Sequence, residues 1–271
     1  MTDQDFAFIC KLVQQRSAIV LEDGKQYLVE SRLTPIVRGM NLGSIKELVE
    51  RLRADPSNGL HTQIVEAMTT NETSFFRDHQ PFEALRMAVL PDLIRRRSEE
   101  RRLNIWCAAC SSGQEPYSIA LQVRTYFPEL ASWKISLLGS DLSRDVLARA
   151  REGRYNQIEV NRGLPAALLV KHFRQYGTDW QLESNIRRLV EFQEINLSQP
   201  WPPLPRMDLV LLRNVLIYFD VATKKTILGK LARLLRPDGY LLLGGAETTF
   251  NLEDSFRRVE HLKSGFYQLL E

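Results

Sequence analysis

Residues Leu103 to Ser118 have the sequence LNIWCAACSSGQEPYS, an apolar run followed by a turn of small residues and the start of a helix. This pattern is typical of a buried parallel strand in an α/β protein. In such a sheet, ligands bind beyond the carboxyl end of the first strand. Nucleotide-binding folds usually have several glycines in this turn, whereas here only Gly113 is present. Small side chains from Ala108 onward still allow a ligand to approach the backbone closely.

Upstream of this turn, the sequence shows only helical periodicity. Apolar residues recur at helical spacing, and Ser44 followed by Glu47 has the pattern of a capping box. We therefore predict an all-α N-terminal domain over residues 1–80 and a linker helix over 81–102. The segment 94–102, IRRRSEERR, has charges of both signs and is interpreted as a solvated helix end.

Downstream of the turn, short apolar runs alternate with helical segments. KISLLGSDLS and MDLVLLRNV are two of these runs, and the alternation predicts a doubly wound, Rossmann-like α/β domain over 103–271. The rhythm is interrupted between 153 and 195, where Val190 and Phe192 alternate with polar residues. This interruption predicts a small antiparallel β-subdomain inserted in the sheet domain.

The composition excludes several classes of protein. The 36 basic and 33 acidic side chains give a net charge of only +3, which offers no argument for a nucleic-acid partner. An odd number of cysteines forms no disulfide framework and fits a reducing compartment. The sequence shows neither a signal peptide nor an apolar run as long as a membrane span. We expect a soluble cytoplasmic protein that does not insert into membranes.

Two acidic residues indicate the charge of the ligand. Asp141 ends the second predicted strand, where adenosyl and dinucleotide cofactors have their ribose hydroxyls held by a carboxylate. The alternative role for Asp141 is a helix cap before Ser143. Glu115 lies in the first turn of the following helix, where it would repel a pyrophosphate and attract a cation. S-adenosylmethionine has two cationic groups and no phosphate, so this pattern favours it.

Cys107 and Cys110 form a C-x-x-C pair, a spacing also found in zinc and redox sites. A zinc ion needs about four ligands. The third cysteine, Cys10, is distant in sequence, and the histidines occur singly. We expect no metal site and interpret the pair as small residues of the turn.

Several longer motifs give the chain a family resemblance. NETSFFRD at 71–78 precedes SSGQEPYS, which is followed in order by SDLS, NLSQPWP, LLRNVLIYF and RPDGYLLLGGAE. In content and order these motifs resemble the CheR family of chemoreceptor glutamate methyltransferases over nearly the whole chain. The resemblance implies a class I methyltransferase sheet. It also implies transfer of the methyl group of S-adenosylmethionine to receptor glutamates in bacterial chemotaxis, giving γ-methyl esters and S-adenosylhomocysteine.

The resemblance further implies the residues of the site. Cofactor contacts are expected from Asn71, Thr73, Arg77, Gly113, Glu115, Asp141, Asn196, Leu197, Arg213 and Asn214. An ionised carboxylate is already a nucleophile at neutral pH, so the substrate glutamate needs no general base. The catalytic residues are then expected to orient that carboxylate, and the resemblance assigns this role to Arg77 and Tyr218. The alternative role for NETSFFRD is a helix start that packs Phe75 and Phe76, and both roles are compatible.

The partners follow from the same resemblance. The family docks a basic helix of its N-terminal domain on the helical bundle of the receptor cytoplasmic region, and Lys25, Arg32 and Arg38 are the candidates here. Ordinary solvated charges are the alternative. Members that also bind the receptor's C-terminal peptide have a glycine-rich loop in the β-subdomain, where this chain has only Gly177. We therefore expect a monomer without a peptide tether, recruited from the cytoplasm to membrane receptor arrays.

Three other functions remain as alternatives. A non-catalytic sensor could retain the same cofactor pocket, and a nicotinamide dehydrogenase could have the same fold. A methyltransferase acting on RNA or DNA is disfavoured because RNVLIYF stands where such enzymes have an N/D-P-P-Y-type loop.

Overall fold

The N-terminal part of the chain is helical, as its periodicity predicts. The computed structural model describes residues 1–22, 24–55, 59–262 and 264–270. The helices before the first strand are α1 (Asp3–Ser17), α2 (Gln26–Gly39), α3 (Ile45–Ala54), α4 (Leu60–Met68), α5 (Gln80–Ala84) and α6 (Leu90–Arg96). A π-helical turn at Leu85–Val89 joins α5 to α6. Ser44 caps α3 by accepting the Glu47 N–H at 3.2 Å, while the Glu47 carboxylate accepts the Gly43 N–H at 3.0 Å.

The remainder of the chain is an α/β domain, as predicted. Its strands are β1 (Arg102–Ala108), β2 (Lys134–Asp141), β3 (Arg154–Asn156), β4 (Phe173–Tyr176), β5 (Asp179–Leu182), β6 (Val190–Glu194), β7 (Met207–Leu212), β8 (Leu235–Leu243), β9 (Phe256–Arg258) and β10 (Phe266–Leu269). Its helices are α7 (Gln114–Tyr126), α8 (Arg144–Glu152), α9 (Gln157–Asn161), α10 (Ala166–His172), α11 (Ser184–Arg187) and α12 (Val221–Leu234).

The main sheet has seven strands in the order β6-β2-β1-β7-β8-β10-β9. Strand β1 pairs in parallel with β2 and β7, and β10 runs antiparallel to its neighbours β8 and β9. The strand order therefore reverses around β1, so the carboxyl ends of β1, β2 and β7 form the crevice in which ligands of such sheets bind.

The inserted sheet is smaller than the sequence predicts. It contains only β3, β5 and β4, paired antiparallel, and Gly177 and Thr178 alone separate β4 from β5. Strand β6 was expected in the insertion but pairs in parallel with β2, at the edge of the main sheet. Alternating buried and exposed residues occur on the edge of either sheet, so the pattern at Val190 and Phe192 could not distinguish them.

The charged segment before β1 also differs from its prediction as a solvated helix end. The Arg97 side chain is only 6% exposed and forms ion pairs with Asp208 at 2.6 Å and Asp238 at 2.5 Å. The partners are more than a hundred residues away in sequence. Only the folded sheet brings these charges together, so no local pattern distinguishes Arg97 from its solvated neighbours.

The N-terminal helices pack directly on the sheet domain. Ile9 and Val13 of α1 belong to the same buried cluster as Val210 and Leu212 of β7. After α1, the Val20 N–H donates to the Tyr218 carbonyl at 2.9 Å. The end of α1 therefore lies at the crevice beyond β7. Within the described ranges, no helix has the length and apolarity needed to cross a membrane.

Candidate active site

An open cavity that is continuous with solvent lies at the carboxyl ends of β1, β2 and β7. The lining includes ten residues expected from the sequence, namely Asn71, Thr73, Arg77, Glu115, Asp141, Asn196, Leu197, Arg213, Asn214 and Tyr218. Residues from distant parts of the chain thus meet around one space.

Gly113 is the expected cofactor-contact residue that is absent from this lining. Its φ is +92°, and a Cβ at this position would lie 3.0 Å from the Ala150 Cβ and 3.3 Å from the Phe192 ring. The glycine therefore packs against α8 and β6 and allows the turn its shape. Ala109 and Ser111 also have positive φ, at 55° and 51°. Left-handed non-glycine residues of this kind cluster at functional sites.

Asp141 is the buried carboxylate at the end of β2. One carboxylate oxygen accepts the Ser111 N–H at 2.9 Å, and the other accepts the Ser143 N–H at 3.0 Å. Burial raises the pKa of Asp141, while these backbone donors lower it, and the net direction is upward. The N-cap of α8 is Ser143, whose hydroxyl accepts the Val146 N–H, so the alternative role of Asp141 as the helix cap is wrong. Asp141 instead lines the cavity and holds the backbone on both sides of it.

Glu115 and Arg213 form a buried ion pair that also lines the cavity. Arg213 Nη1 donates to Glu115 Oε2 at 2.8 Å. Its other terminal nitrogen, Nη2, donates to Asp78 Oδ2 at 2.8 Å and to the Arg77 carbonyl at 3.0 Å. The Arg213 side chain is 2% exposed and lies over the ring of Phe82, with its guanidinium carbon 5.6 Å from the ring centroid.

The Glu115–Arg213 pair determines the charge at the first turn of α7. Burial raises the pKa of Glu115, and the Arg213 guanidinium partly offsets that effect, so the net shift is upward. A buried arginine that is shared between two carboxylates leaves the neighbourhood acidic. Such a wall can accept a cationic group and disfavours a phosphate.

The segment 69–77 connects the N-terminal domain to the cavity. The Ser111 hydroxyl donates to the Asn71 carbonyl at 2.9 Å, and Arg77 Nη1 donates to the Glu72 carbonyl at 2.9 Å. Phe75 is fully buried, with its ring centroid 5.0 Å from that of Tyr155. The motif NETSFFRD therefore supplies both core aromatics and a half-buried arginine at the cavity.

The far end of the cavity is held to α1. Asn196 Nδ2 donates to the Arg16 carbonyl at 2.7 Å, and Asn196 Oδ1 accepts the Ser198 N–H at 3.0 Å. Ser17 and Ile19, which follow on the chain, also line the cavity. Sequence reasoning missed both residues, and no local signal could have found them, because α1 reaches the site only through tertiary packing.

The C-x-x-C pair lies within the same turn. Both Cys107 and Cys110 are buried and free, and Cys110 lines the cavity. The pKa of both thiols is raised, and burial is the largest cause. Among the residues that the structure describes, no group of three or more His, Cys, Asp and Glu side chains is placed to hold a metal.

The three docking candidates have different surroundings. Lys25 precedes α2 and lies 3.9 Å from Glu22, and Arg38 is exposed at the other end of the helix. Arg32 donates to the Met68 carbonyl at 2.6 Å and to the Thr70 hydroxyl at 3.0 Å. Arg32 therefore ties α2 to the segment that enters the cavity.

Comparison with known proteins agrees with this arrangement. The family model described as CheR methyltransferase, all-alpha domain, matches residues 4–69, and the CheR methyltransferase, SAM binding domain, matches residues 71–264. The chain is 39% identical to chemotaxis protein methyltransferase Cher2 of Pseudomonas putida over 268 residues, 97% of both chains. It is 40% identical to chemotaxis protein methyltransferase 1 of Pseudomonas aeruginosa over 261 residues, 94% of both chains.

A third relative lies outside that genus. The chain is 37% identical to chemotaxis protein methyltransferase 1 of Vibrio cholerae over 273 residues, which cover 99% of this chain and 98% of the relative. The helical domain, the methyltransferase sheet and the near full-length matches lead to one assignment: this chain belongs to the CheR methyltransferase family.

Proposed function

We propose that this protein transfers the methyl group of S-adenosylmethionine to glutamate side chains of chemoreceptors and forms glutamyl γ-methyl esters. The observation that supports this most directly is that the buried carboxylates of Glu115 and Asp141 line one cavity beyond β1 and β2. A donor with cationic groups, a ribose and no phosphate fits this set of side chains. The family matches independently support a methyltransferase that binds this donor.

The residues of the cavity divide into cofactor and substrate groups. We assign Glu115 to the ammonium of the donor and Asp141 to its ribose hydroxyls, since carboxylates accept hydrogen bonds from both. Asn196 and Leu197 are assigned to the adenine. The remaining expected residues, Asn71, Thr73, Arg77, Arg213 and Asn214, complete the binding set, and Gly113 contributes through the conformation of the turn.

The chemistry needs positioning more than activation. The bound donor supplies a methyl group on a sulfonium: the glutamate oxygen forms the new C–O bond as the S–C bond breaks, and that electron pair remains on sulfur in S-adenosylhomocysteine. Arg77 and Tyr218 orient the glutamate carboxylate in this proposal. Such alignment can supply about 7–11 kcal/mol of the barrier reduction. Because negative charge on the carboxylate disappears during the step, tight ion pairing would favour the ground state over the transition state.

The finer assignments are also proposals. We infer a substrate surface on the receptor's cytoplasmic helical bundle, docked through Lys25 and Arg38, with Arg32 as a tie within the enzyme. The two-residue connection between β4 and β5 supports binding without a receptor peptide tether. We further propose that the protein is a cytoplasmic monomer without a nucleic-acid partner and is recruited to receptor arrays. We propose the domain bounds 1–80 for the helical domain, 81–102 for the linker helix and 103–271 for the methyltransferase domain, with the insertion ending before β6.

Methyl transfer can be measured directly. The protein is incubated with tritiated S-adenosylmethionine and a receptor cytoplasmic fragment, and incorporated label is then exposed to mild alkali. Wild type should give label that alkali releases, because esters hydrolyse readily in base. Arg77→Ala should lose most of this transfer, whereas the matched variant Arg95→Ala, with a side chain 73% exposed on α6, should retain it.

The outcomes separate the alternatives. Alkali-stable label would contradict ester formation. Binding of S-adenosylmethionine without transfer to any receptor fragment would contradict the enzyme and favour a non-catalytic sensor. Binding of a nicotinamide dinucleotide in place of S-adenosylmethionine would contradict the cofactor assignment.

A further inference from the structure

The loop after β7 is folded around one buried carboxylate. Glu247, in the segment after β8, accepts the N–H groups of Val215 and Leu216 on Oε1, at 2.9 and 2.8 Å. Its other oxygen, Oε2, accepts the N–H groups of Asn214 at 2.8 Å and Gly244 at 2.7 Å. A side chain 9% exposed thus binds four backbone donors, three of them consecutive.

This arrangement resembles an anion-binding nest whose anion is part of the protein. Asn214 has φ of 57°, a left-handed conformation that places its own N–H and the following ones on one concave side. Non-glycine residues in that region cost on the order of 1–3 kcal/mol unless their surroundings compensate. The carboxylate supplies that compensation, because hydrogen bonds to a charged acceptor are stronger than neutral ones.

Gly244 is required by the same geometry. A Cβ at Gly244 would lie 2.6 Å from Glu247 Oε2 and 2.9 Å from the Asn214 nitrogen. Any side chain at this position would therefore displace the carboxylate or the loop. The loop at Asn214 therefore requires a residue without a side chain at position 244 as well as a carboxylate at position 247.

The loop has two of the residues assigned to the site. Asn214 and Tyr218 both line the cavity; Asn214 begins the segment whose amides Glu247 binds, and Tyr218 lies two residues after that segment ends. We propose that Glu247 is a positioning residue for methyl transfer. Its carboxylate keeps the loop in the single conformation that presents Asn214 to the cofactor and Tyr218 to the methyl acceptor. This proposal rests on the proposed function, and it adds a residue that does not itself line the cavity.

Glu247→Gln is the discriminating substitution. The glutamine side chain has the same shape, but whichever way its amide is turned, its NH₂ group faces two backbone N–H donors. The loop must then move although the protein remains packed. Glu47→Gln is the matched control, since Glu47 also accepts a backbone N–H but lies at the start of α3, away from the cavity.

Three measurements are made on each folded variant: the dissociation constant for S-adenosylhomocysteine by calorimetry, kcat at saturating donor, and KM for the receptor fragment. For Glu247→Gln we expect at least tenfold weaker cofactor binding and a kcat lowered by on the order of a hundredfold, since a shift of about 1 Å can cost that much. The KM for the receptor should change little. Glu47→Gln should match wild type in all three, whatever its thermal stability.

A second variant keeps the proposal testable if Glu247→Gln does not fold. Gly244→Ala retains the carboxylate but displaces it, and should show the same paired loss of cofactor affinity and kcat. Cofactor affinity and kcat within twofold of wild type in a folded Glu247→Gln, or in Gly244→Ala where that variant must replace it, would overturn the proposal. An inactive wild type would instead contradict the proposed function, and the calorimetric comparison would still decide the role of Glu247.

Discussion

Removing the arginine of the buried pair should destabilise the cofactor-free protein by an amount that depends on pH. In Arg213→Ala, Glu115 keeps its burial and loses the guanidinium 2.8 Å away. Breaking a buried pair from one side typically costs about 3–5 kcal/mol, because the other charge is left uncompensated. The second partner, Asp78, is 54% exposed, so the loss of that pair adds little.

The sign of the pH dependence follows from Glu115. Burial already raises the pKa of this carboxyl in the folded protein, and removal of Arg213 takes away the main cause that lowers it. A carboxyl whose folded pKa lies above its unfolded value of about 4.3 retains its proton preferentially in the folded state. Stability therefore falls as the pH rises from the unfolded pKa to the folded pKa, and is constant above it. The free energy of unfolding that Arg213→Ala loses relative to wild type, its stability deficit, should be smaller at pH 5 than at pH 8.

Urea unfolding at the two pH values, followed by circular dichroism, measures this deficit. The double variant Arg213→Ala/Glu115→Gln should be less destabilised at pH 8 than Arg213→Ala alone, because the neutral amide replaces the uncompensated charge. A deficit below about 1 kcal/mol at pH 8, or one of equal size at both pH values, would refute the assignment of a desolvated, arginine-dependent carboxylate.

Three other substitutions test separate parts of the structure. Asp141→Ala should weaken S-adenosylhomocysteine binding by roughly 10–150-fold in calorimetry, the equivalent of about 1.5–3 kcal/mol for hydrogen bonds to a charged group; unchanged affinity would remove Asp141 from the site. Tyr218→Phe should lower kcat about fivefold in the tritium assay with unchanged cofactor affinity, since one hydrogen bond contributes about 1 kcal/mol; a change in affinity alone would contradict its role toward the acceptor. Arg97→Ala should cost about 1–3 kcal/mol in urea unfolding, because Asp208 stays buried but keeps Arg236 at 3.4 Å, with kcat per folded molecule unchanged; a lowered kcat would show that this distant ion pair affects the site.

Local sequence patterns predicted the structure best for residues whose conformation depends mainly on their own segment of the chain. The apolar run before Ala108 predicted β1, and the small residues after it predicted a ligand-accessible turn. The acidic residues at Glu115 and Asp141 predicted a cationic, phosphate-free ligand, because each lies next to the strand end or helix start that positions it. The other expected residues of the cavity came from the motif resemblance, whereas Ser17 and Ile19 were found only in the structure.

Periodicity was uninformative where two environments give the same pattern. Val190 and Phe192 alternate with polar residues whether their strand joins the small sheet or the edge of the main one. Likewise, Arg97 could not be separated from its charged neighbours, since its acidic partners lie on β7 and β8. In both cases the deciding contact is made with a distant segment of the chain.

The sequence alone determined the fold class, the order of elements and the charge of the ligand, because these depend on periodicity and on residues that act within their own segment. Only the tertiary structure decided which distant segments complete the site: Ile19, which follows α1 and lines the cavity, and Glu247, which holds the loop at Asn214. Hydrogen bonds that backbone amides donate to a carboxylate more than thirty residues away leave no periodic pattern in the sequence. They are formed only when packing has brought the two segments together.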